Sequence, residues 1–150
     1  DTDKLFSKKD EIKASEYLSK AAVKGDAYAQ FELGRLFYIK KQYDLAVENL
    51  QKSADQGDHY AQTLLGLCYY NGDGIEKNYN LAYTWFDKAA KKYHSDALYY
   101  VALCYEKGHG VKKNRMEALE CYYKAAGQGH EKAQKALEKW SKRKNKREKK

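Results

Sequence analysis

The chain has 150 residues, of which 33% are charged, and it contains no proline and carries a formal net charge of +8 at pH 7. This length fits a single domain or a stack of about four helix pairs. No apolar run approaches the roughly twenty residues that a membrane-spanning helix needs, so we expect a soluble chain. The first residue is Asp1 and no signal peptide is visible, which is expected of a processed protein or a fragment.

The N-terminal segment, residues 1–9, is polar except for Leu5 and Phe6, and a loose or short helical lead is expected there. A first helix is predicted over residues 10–25, where apolar residues recur on one helix face. It corresponds to the second helix of a later pair, because Ala14 precedes Ala46 by 32 residues. The array is therefore predicted to open on a half-repeat, either as a fragment of a longer array or as an atypical capping unit.

Residues 26–57 are predicted to form the first complete helix pair, with a short turn around Lys40–Asp44. We expect the Asp44 carboxylate to cap the second helix by accepting a hydrogen bond from a free backbone N–H group. The apolar positions are Ala29, Leu33, Gly34 and Phe37 in the first helix and Ala46, Leu50 and Ala54 in the second.

Residues 58–93 and 94–129 repeat one pattern, because equivalent residues are separated by 36 positions throughout. A fixed period of this length indicates a repeat array. Each unit has two amphipathic helices around a double-glycine turn, where glycine can adopt positive φ and end a helix. Tyr93 stands where the other units close on glycine, and the sequence leaves open whether its ring packs inward or is exposed.

Residues 130–141 are predicted to form a capping helix, whose face of Ala133, Ala136, Leu137 and Trp140 closes the stack. Residues 142–150 form a basic tail. Residues 138–150 contain eight Lys or Arg and two Glu, so the rest of the chain is close to neutral. The tail is either a solvated extension of the last helix or a contact for a nuclear-targeting factor, nucleic acid or an anionic membrane.

The repeat unit in residues 58–93 contains a motif of small, aromatic and glycine residues, which are Ala61, Leu65, Gly66, Tyr69, Gly72, Gly74, Ile75, Ala82, Trp85, Phe86, Lys88, Ala89 and Ala90. This motif resembles that of the Sel-one-like repeat family, which is related to the tetratricopeptide repeats. The resemblance extends from Ala14 to about Trp140. It implies an all-α protein, a right-handed α-solenoid of stacked antiparallel helix hairpins that scaffolds other proteins and has no catalytic residues. The turn in residues 26–57 departs from the motif and has tetratricopeptide spacing.

In this architecture the first helix of each pair lines a concave wall, which we call the groove. Six of its twelve predicted positions are aromatic, which favours an extended peptide or a helix of a protein partner. The alternative is that the rings pack between neighbouring first helices and are mostly buried. The twelve positions are Tyr28, Phe31, Arg35 and Tyr38, then Tyr60, Thr63, Leu67 and Tyr70, then Asp96, Tyr99, Leu103 and Glu106.

The cysteines and histidines indicate no catalytic or metal site. Cys68 and Cys104 occupy the same repeat position, so they are expected to lie about 10 Å apart, beyond disulfide reach. We expect them and Cys121 to be small buried hydrophobic residues, compatible with a reducing compartment. The four histidines lack the spacing of metal ligands and are expected in turns or at the surface. We therefore expect no enzyme activity, no cofactor and no small-molecule substrate.

Overall fold

The computed structural model describes residues 7–150, so most of the predicted lead over residues 1–9 lies outside the described part. Eight helices account for 77% of these residues, and none of them is long and apolar enough to cross a membrane. The helices are α1 (Lys8–Val23), α2 (Ala27–Ile39), α3 (Tyr43–Asp55), α4 (His59–Asn71), α5 (Tyr79–Ala90), α6 (Ser95–Lys107), α7 (Arg115–Gly127) and α8 (Glu131–Glu148).

The helices pack against one another in chain order. The hairpins α2–α3, α4–α5 and α6–α7 are stacked, with α1 against α2 at one end and α8 against α7 at the other. The first helices α2 and α4 also contact each other, and more closely than the second helices α3 and α5 do. The first helices α2 and α4 are therefore neighbours across the boundary between two hairpins. The predicted all-α solenoid of helix hairpins is confirmed.

Capping side chains fix the starts of several helices. The carboxylates of Asp26 and Asp58 accept hydrogen bonds from the backbone N–H groups of Ala29 and Ala61, at 2.8 and 2.9 Å. Asn114 caps α7 in the same way. Each bond satisfies an N–H group that has no partner within its own helix.

Asp44 does not cap α3, contrary to the expectation from the sequence. The residue at the cap position is Gln42, and its side chain makes no capping bond. Lys41 adopts φ +59°, and the Gln42 N–H donates to the Phe37 carbonyl, so the turn is tight and the helix begins earlier, at Tyr43. Asp44 consequently lies inside the first turn, where its charge interacts favourably with the helix dipole.

Small residues on the first helices allow the hairpins to close. A Cβ atom on Gly66 would lie 2.7 Å from two ring carbons of Phe86, and one on Gly34 would lie 2.8 Å from Cγ of Leu50. Phe86 and Leu50 are fully buried. The large side chain of the second helix thus fills the space that glycine leaves, as close packing requires.

The second glycine of each double-glycine turn contacts the preceding hairpin. Gly110 has φ +73°, and a Cβ there would overlap the Tyr79 carbonyl oxygen and lie 2.6 Å from its carbonyl carbon. Gly74 makes the equivalent approach to Tyr43. These glycines set the distance between successive hairpins, whereas the first glycines, such as Gly108, only end their helices.

The structure settles one feature that the sequence left open, the position of the Tyr93 ring, and it gives the conformation of the basic tail. Tyr93 has φ +58° and is 72% exposed, so its ring lies on the surface. The basic residues from 142 onward continue the last helix, because α8 extends to Glu148 without a break.

Candidate partner-binding groove

The most exposed rings at the predicted groove positions are those of Tyr28 and Tyr60, at 65% and 50%. Phe31 stacks on Tyr60 with ring centroids 5.8 Å apart, which joins α2 to α4. Tyr60 also contacts His94 edge to face at 4.8 Å. These ring contacts therefore run from α2 through α4 to the start of α6, and the Tyr28 ring lies exposed on α2.

Two other groove tyrosines connect repeats through their hydroxyl groups. The Tyr38 hydroxyl donates to Asp73 at 3.2 Å, and the Tyr70 hydroxyl lies 2.7 Å from His109 Nδ1. Asp73 and His109 are equivalent residues between the two turn glycines of the following repeat. Burial raises the pKa of Tyr70 to about 12, and burial with the Asp73 carboxylate raises that of Tyr38 further. Both rings are half-buried and hold the stack together.

The remaining positions of the first two groove helices are less open. Thr63 is only 6% exposed, and its hydroxyl donates to the His59 carbonyl at 2.8 Å and lies 2.9 Å from His94 Nδ1. Leu67 is half-buried against the core. Arg35 is half-buried and forms an ion pair with Glu32 on its own helix at 2.8 Å.

On α6, two carboxylates of the groove have partners from neighbouring helices. Asp96 is exposed and accepts a hydrogen bond from Nε2 of His130 at 2.7 Å. Glu106 accepts a hydrogen bond of 2.5 Å from the hydroxyl of Tyr122, a ring that is almost fully buried. Burial is the main cause of the raised pKa of Tyr122, and the Glu106 carboxylate raises this pKa further.

The other two α6 positions are half-buried. Tyr99 stacks on His130 with ring centroids 4.9 Å apart. Leu103 lies in the depression between α6 and α8, together with Tyr99 and Tyr122. The groove therefore changes along its length, from open rings on α2 and α4 to a more polar surface on α6.

The histidines between repeats were expected in turns, and the structure gives them partners that sequence reasoning missed. His94 and His130 are the N-cap residues of α6 and α8, at the positions that Asp26 and Asp58 occupy in the earlier repeats. His130 Nδ1 accepts from the Ala133 N–H at 3.2 Å. The 36-residue spacing between the two histidines indicated that they share a position in the repeat. It gave no indication of their side-chain partners, because those partners lie in other repeats.

Burial lowers the pKa of His94. Asp96, whose carboxylate lies 3.8 Å from Nε2 of His94, and Asp58 act in the opposite direction, whereas His59 and His130 lower the pKa further. His94 is therefore favoured in its neutral form at the boundary between the hairpins.

Within residues 7–150, no three His, Cys, Asp or Glu side chains converge on a possible metal position. Cys68 and Cys104 are fully buried, and burial raises the pKa of each thiol to about 12. A thiol with so high a pKa is a poor nucleophile at neutral pH. The chemistry available at the groove is therefore that of aromatic, hydrogen-bonding and charged surfaces.

Comparisons with solved structures find several repeat proteins of the same fold. A Sel1 repeat protein from Oxalobacter formigenes is 40% identical, with a TM-score of 0.73, over 83% of this chain and 97% of that one. The cysteine-rich protein B of Helicobacter pylori is 27% identical, with a TM-score of 0.65, over 83% and 92%. A protective antigen of uropathogenic Escherichia coli with an SLR fold is 27% identical, with a TM-score of 0.80, over 87% and 28%.

No sequence among curated proteins matches the chain significantly. The Sel1 repeat pattern, in contrast, matches four successive segments, residues 5–26, 27–58, 59–94 and 95–130. These segments cover most of the chain and coincide with the stacked helices described above. The chain belongs to the Sel1 repeat family.

Proposed function

We propose that this chain is a non-catalytic adaptor that binds a peptide or a helix of a partner protein in the groove. Sel1 repeat proteins generally act as scaffolds for protein–protein interaction. The groove is the surface of this chain whose composition best fits such a role.

The observation that carries the proposal is the pair of open rings, Tyr28 on α2 and Tyr60 on α4, with Phe31 of α2 stacked on Tyr60. Large tyrosine rings left in solvent have no role in the core, and they provide much contact area at a small entropic cost. Clustered aromatic residues are the side chains that most often dominate binding energy at protein interfaces.

The packing beneath these rings supports a groove that is ready to bind. The half-buried Tyr38 and Tyr70 fix each first helix to the next repeat, and Thr63 is tied to His94. A surface held in place in this way loses little conformational entropy when a partner binds. Tyr38 and Tyr70 thus support the groove, whereas Tyr28 and Tyr60 are the residues expected to contact the partner.

The proposal is tested by removing the two open rings. Peptides selected from a random library against the native chain serve as probes, and their affinity is measured by titration calorimetry. The double variant Tyr28→Ala, Tyr60→Ala is compared with Tyr17→Ala, Tyr123→Ala. Tyr17 and Tyr123 are at least as exposed, at 74% and 65%, but they lie on the second-type helices α1 and α7.

The groove variant is expected to lose at least about tenfold in affinity, since truncated aromatic hot spots commonly cost more than 1 kcal/mol each. The matched variant is expected to bind like the native chain, and circular dichroism is expected to show full helicity for both. Equal affinities for the two double variants would reject the groove as the binding surface.

A second candidate function is contact with nucleic acid or an anionic membrane through the basic end of α8. It is favoured by one observation: residues 141–150 are all exposed and include seven Lys or Arg and one Glu. Such binding weakens steeply as the salt concentration rises. The reason is that Lys and Arg side chains release the counterions around the phosphates when they bind, and this release is less favourable at high salt. If a chain ending at residue 140 binds DNA, RNA and acidic vesicles as well as the full chain does, this candidate is excluded.

A further inference from the structure

The last helix extends beyond the end of the other first helices and forms one side of a cleft. Arg143 is the α8 residue equivalent to Lys107, the last residue of α6, so residues 144–148 overhang by about one turn. A cleft of about 880 Å³ lies between this overhang and the turn that joins α6 to α7. We call it the α8 cleft.

The α8 cleft is strongly cationic, since six Lys or Arg side chains face only two carboxylates. Among residues 7–150, the only ion pair within 4 Å that involves these side chains joins Lys144 to Glu148, at 3.9 Å. The other carboxylate, Glu106, already accepts the hydrogen bond from Tyr122. The positive charge of the cleft is therefore largely uncompensated within the described chain. Three cations come from the α6–α7 side (Lys107, Lys113 and Arg115), and three from α8 (Arg143, Lys144 and Arg147).

The cleft also contains an aromatic surface. The Trp140 ring is partly exposed, contacts Tyr122 edge to face at 5.9 Å, and lies 5.0 Å from the Arg115 guanidinium carbon. Converging cations beside an aromatic ring distinguish this cleft from a uniformly solvated charged helix face. A ligand with both carboxylates and carbon-rich side chains would match it.

The α8 cleft is continuous with the groove. A second depression, of about 370 Å³, lies between α6 and α8 and shares Glu106, Lys107, Trp140 and Arg143 with the α8 cleft. Its α6 side includes the groove positions Tyr99 and Leu103. The lysines on its α8 side are Lys132, Lys135 and Lys139. They occupy the repeat positions of Tyr28, Phe31 and Arg35 on α2. The groove therefore passes from rings at one end to lysines at the other.

We propose that the α8 cleft binds an acidic stretch, rich in Asp or Glu, of the partner segment that lies along the groove. This inference rests on the proposed function and adds the charge and the direction of the segment: its apolar part lies on α2 and α4, and its acidic part on α6 and α8. Charge complementarity of this kind gives an interface both specificity and register.

An acidic polypeptide fits better than nucleic acid because of the carboxylates on the same face. A polyphosphate carries a negative charge at every unit and would pass both Asp96 and Glu106 on its way along the groove. A peptide can place neutral residues opposite these two and acidic residues opposite the cations. Like charges placed together at an interface are costly, so the distribution of charge favours the peptide.

The test uses fluorescein-labelled decaglutamate as the probe, measured by fluorescence anisotropy with the full chain at low salt, and decaglutamine as the neutral probe. The cleft variant is Lys139→Gln, Arg143→Gln, Arg147→Gln. The matched control is Lys142→Gln, Lys146→Gln, Lys149→Gln. Each variant removes three exposed charges from the C-terminal part of the chain, from α8 and, in the control, also from its C-cap residue Lys149, but the control residues do not line either depression.

The cleft variant is expected to lose about tenfold or more in affinity for decaglutamate, and the control about twofold, since long-range charge alone acts on both. Lys139→Arg, Arg143→Lys, Arg147→Lys is expected to restore binding. Equal losses in the two variants, or no binding of decaglutamate to the native chain, would overturn the inference. A dT15 oligonucleotide that binds more tightly than decaglutamate and shows the same dependence on the cleft would overturn it in favour of nucleic acid.

The same probe separates this inference from the proposed function. Decaglutamate has no apolar side chains, so Tyr28→Ala, Tyr60→Ala is expected to bind it like the native chain. If selected peptides depend on the two tyrosines but decaglutamate does not bind, the groove proposal stands and the cleft inference is wrong. If decaglutamate binding depends on the cleft while selected peptides ignore the tyrosines, the groove proposal fails separately.

Discussion

The replacement Gly110→Ala tests how the double-glycine turn joins successive hairpins. Gly110 has φ +73°, and its Cα lies against the start of the preceding second helix, so an added Cβ would be 2.6 Å from the Tyr79 carbonyl carbon. Gly108, in the same turn, has φ +71°, but a Cβ there would be no closer than 3.4 Å to any neighbour. The two positions share their backbone strain and differ in available space.

The expected magnitude follows from these two terms. An alanine at positive φ costs about 1–2 kcal/mol, which applies to both positions. At Gly110 the Tyr79 backbone must also move by nearly 1 Å, and insertion of a methyl group into a packed site costs typically about 1–3 kcal/mol. We therefore expect a loss in the free energy of unfolding of about 2–5 kcal/mol for Gly110→Ala and about 1–2 kcal/mol for Gly108→Ala.

Urea unfolding followed by circular dichroism at 222 nm measures both free energies. The effect on the slope with denaturant is informative as well, because separated hairpins would unfold in separate steps and lower the apparent slope. Equal destabilisation by the two alanines would refute the argument, since it would mean that the second glycine does not set the distance between hairpins.

Two further predictions concern side chains that connect repeats. Tyr122→Phe removes the hydroxyl that donates to Glu106. In the same urea assay it is expected to lower the free energy of unfolding by about 1.5–3 kcal/mol, which is typical of hydrogen bonds to charged groups. An unchanged unfolding midpoint would show that this hydrogen bond does not stabilise the fold. His94 has a lowered pKa in the folded chain, so the unfolded chain binds its proton more tightly, and stability is expected to fall as pH decreases below the ordinary histidine pKa of about 6.5. His94→Asn places a good N-cap residue at the start of α6, where the His94 side chain makes no capping bond. It is expected to weaken the pH dependence of the melting temperature between about pH 7.5 and 5, and an unaltered dependence would exclude this histidine as its source.

The repeat architecture could be predicted from the sequence because it is encoded in local spacing. The 36-residue period placed α4–α7. Gly66 and Phe86, two of the residues that carry the repeat motif, lie against each other in the structure and close one hairpin. These features depend on residues of one hairpin, so neighbouring positions in the sequence were sufficient.

Features that depend on two repeats were not predicted. The contacts of His94 with Thr63 and of His130 with Asp96 join residues 31 and 34 positions apart, and no local pattern specifies such partners. The false assignment of Asp44 as a cap has a similar origin, because the tight turn with Lys41 at positive φ moved the helix start.

Neither the full length of α8 nor the exposure of the groove positions was predicted from the sequence, and the reasons differ. After Trp140 the sequence contains no glycine or proline that would stop a helix, and this absence was a usable signal for the continuation to Glu148. The exposure of the groove positions was not readable, because Thr63 and Tyr60 follow the same helical period. Only the packing of α4 against its neighbours buries Thr63 and leaves Tyr60 open.

The most direct measurement for the account is a map of where a bound partner segment lies. Backbone amide resonances of the chain can be assigned and followed by ¹⁵N correlation spectra during titration with a library-selected peptide. The account predicts that the largest shifts occur on the first-type helices α2, α4, α6 and α8, around Tyr28, Tyr60 and Lys139. Shifts concentrated on the second-type helices α3, α5 and α7, with the first-type helices unaffected, would contradict it.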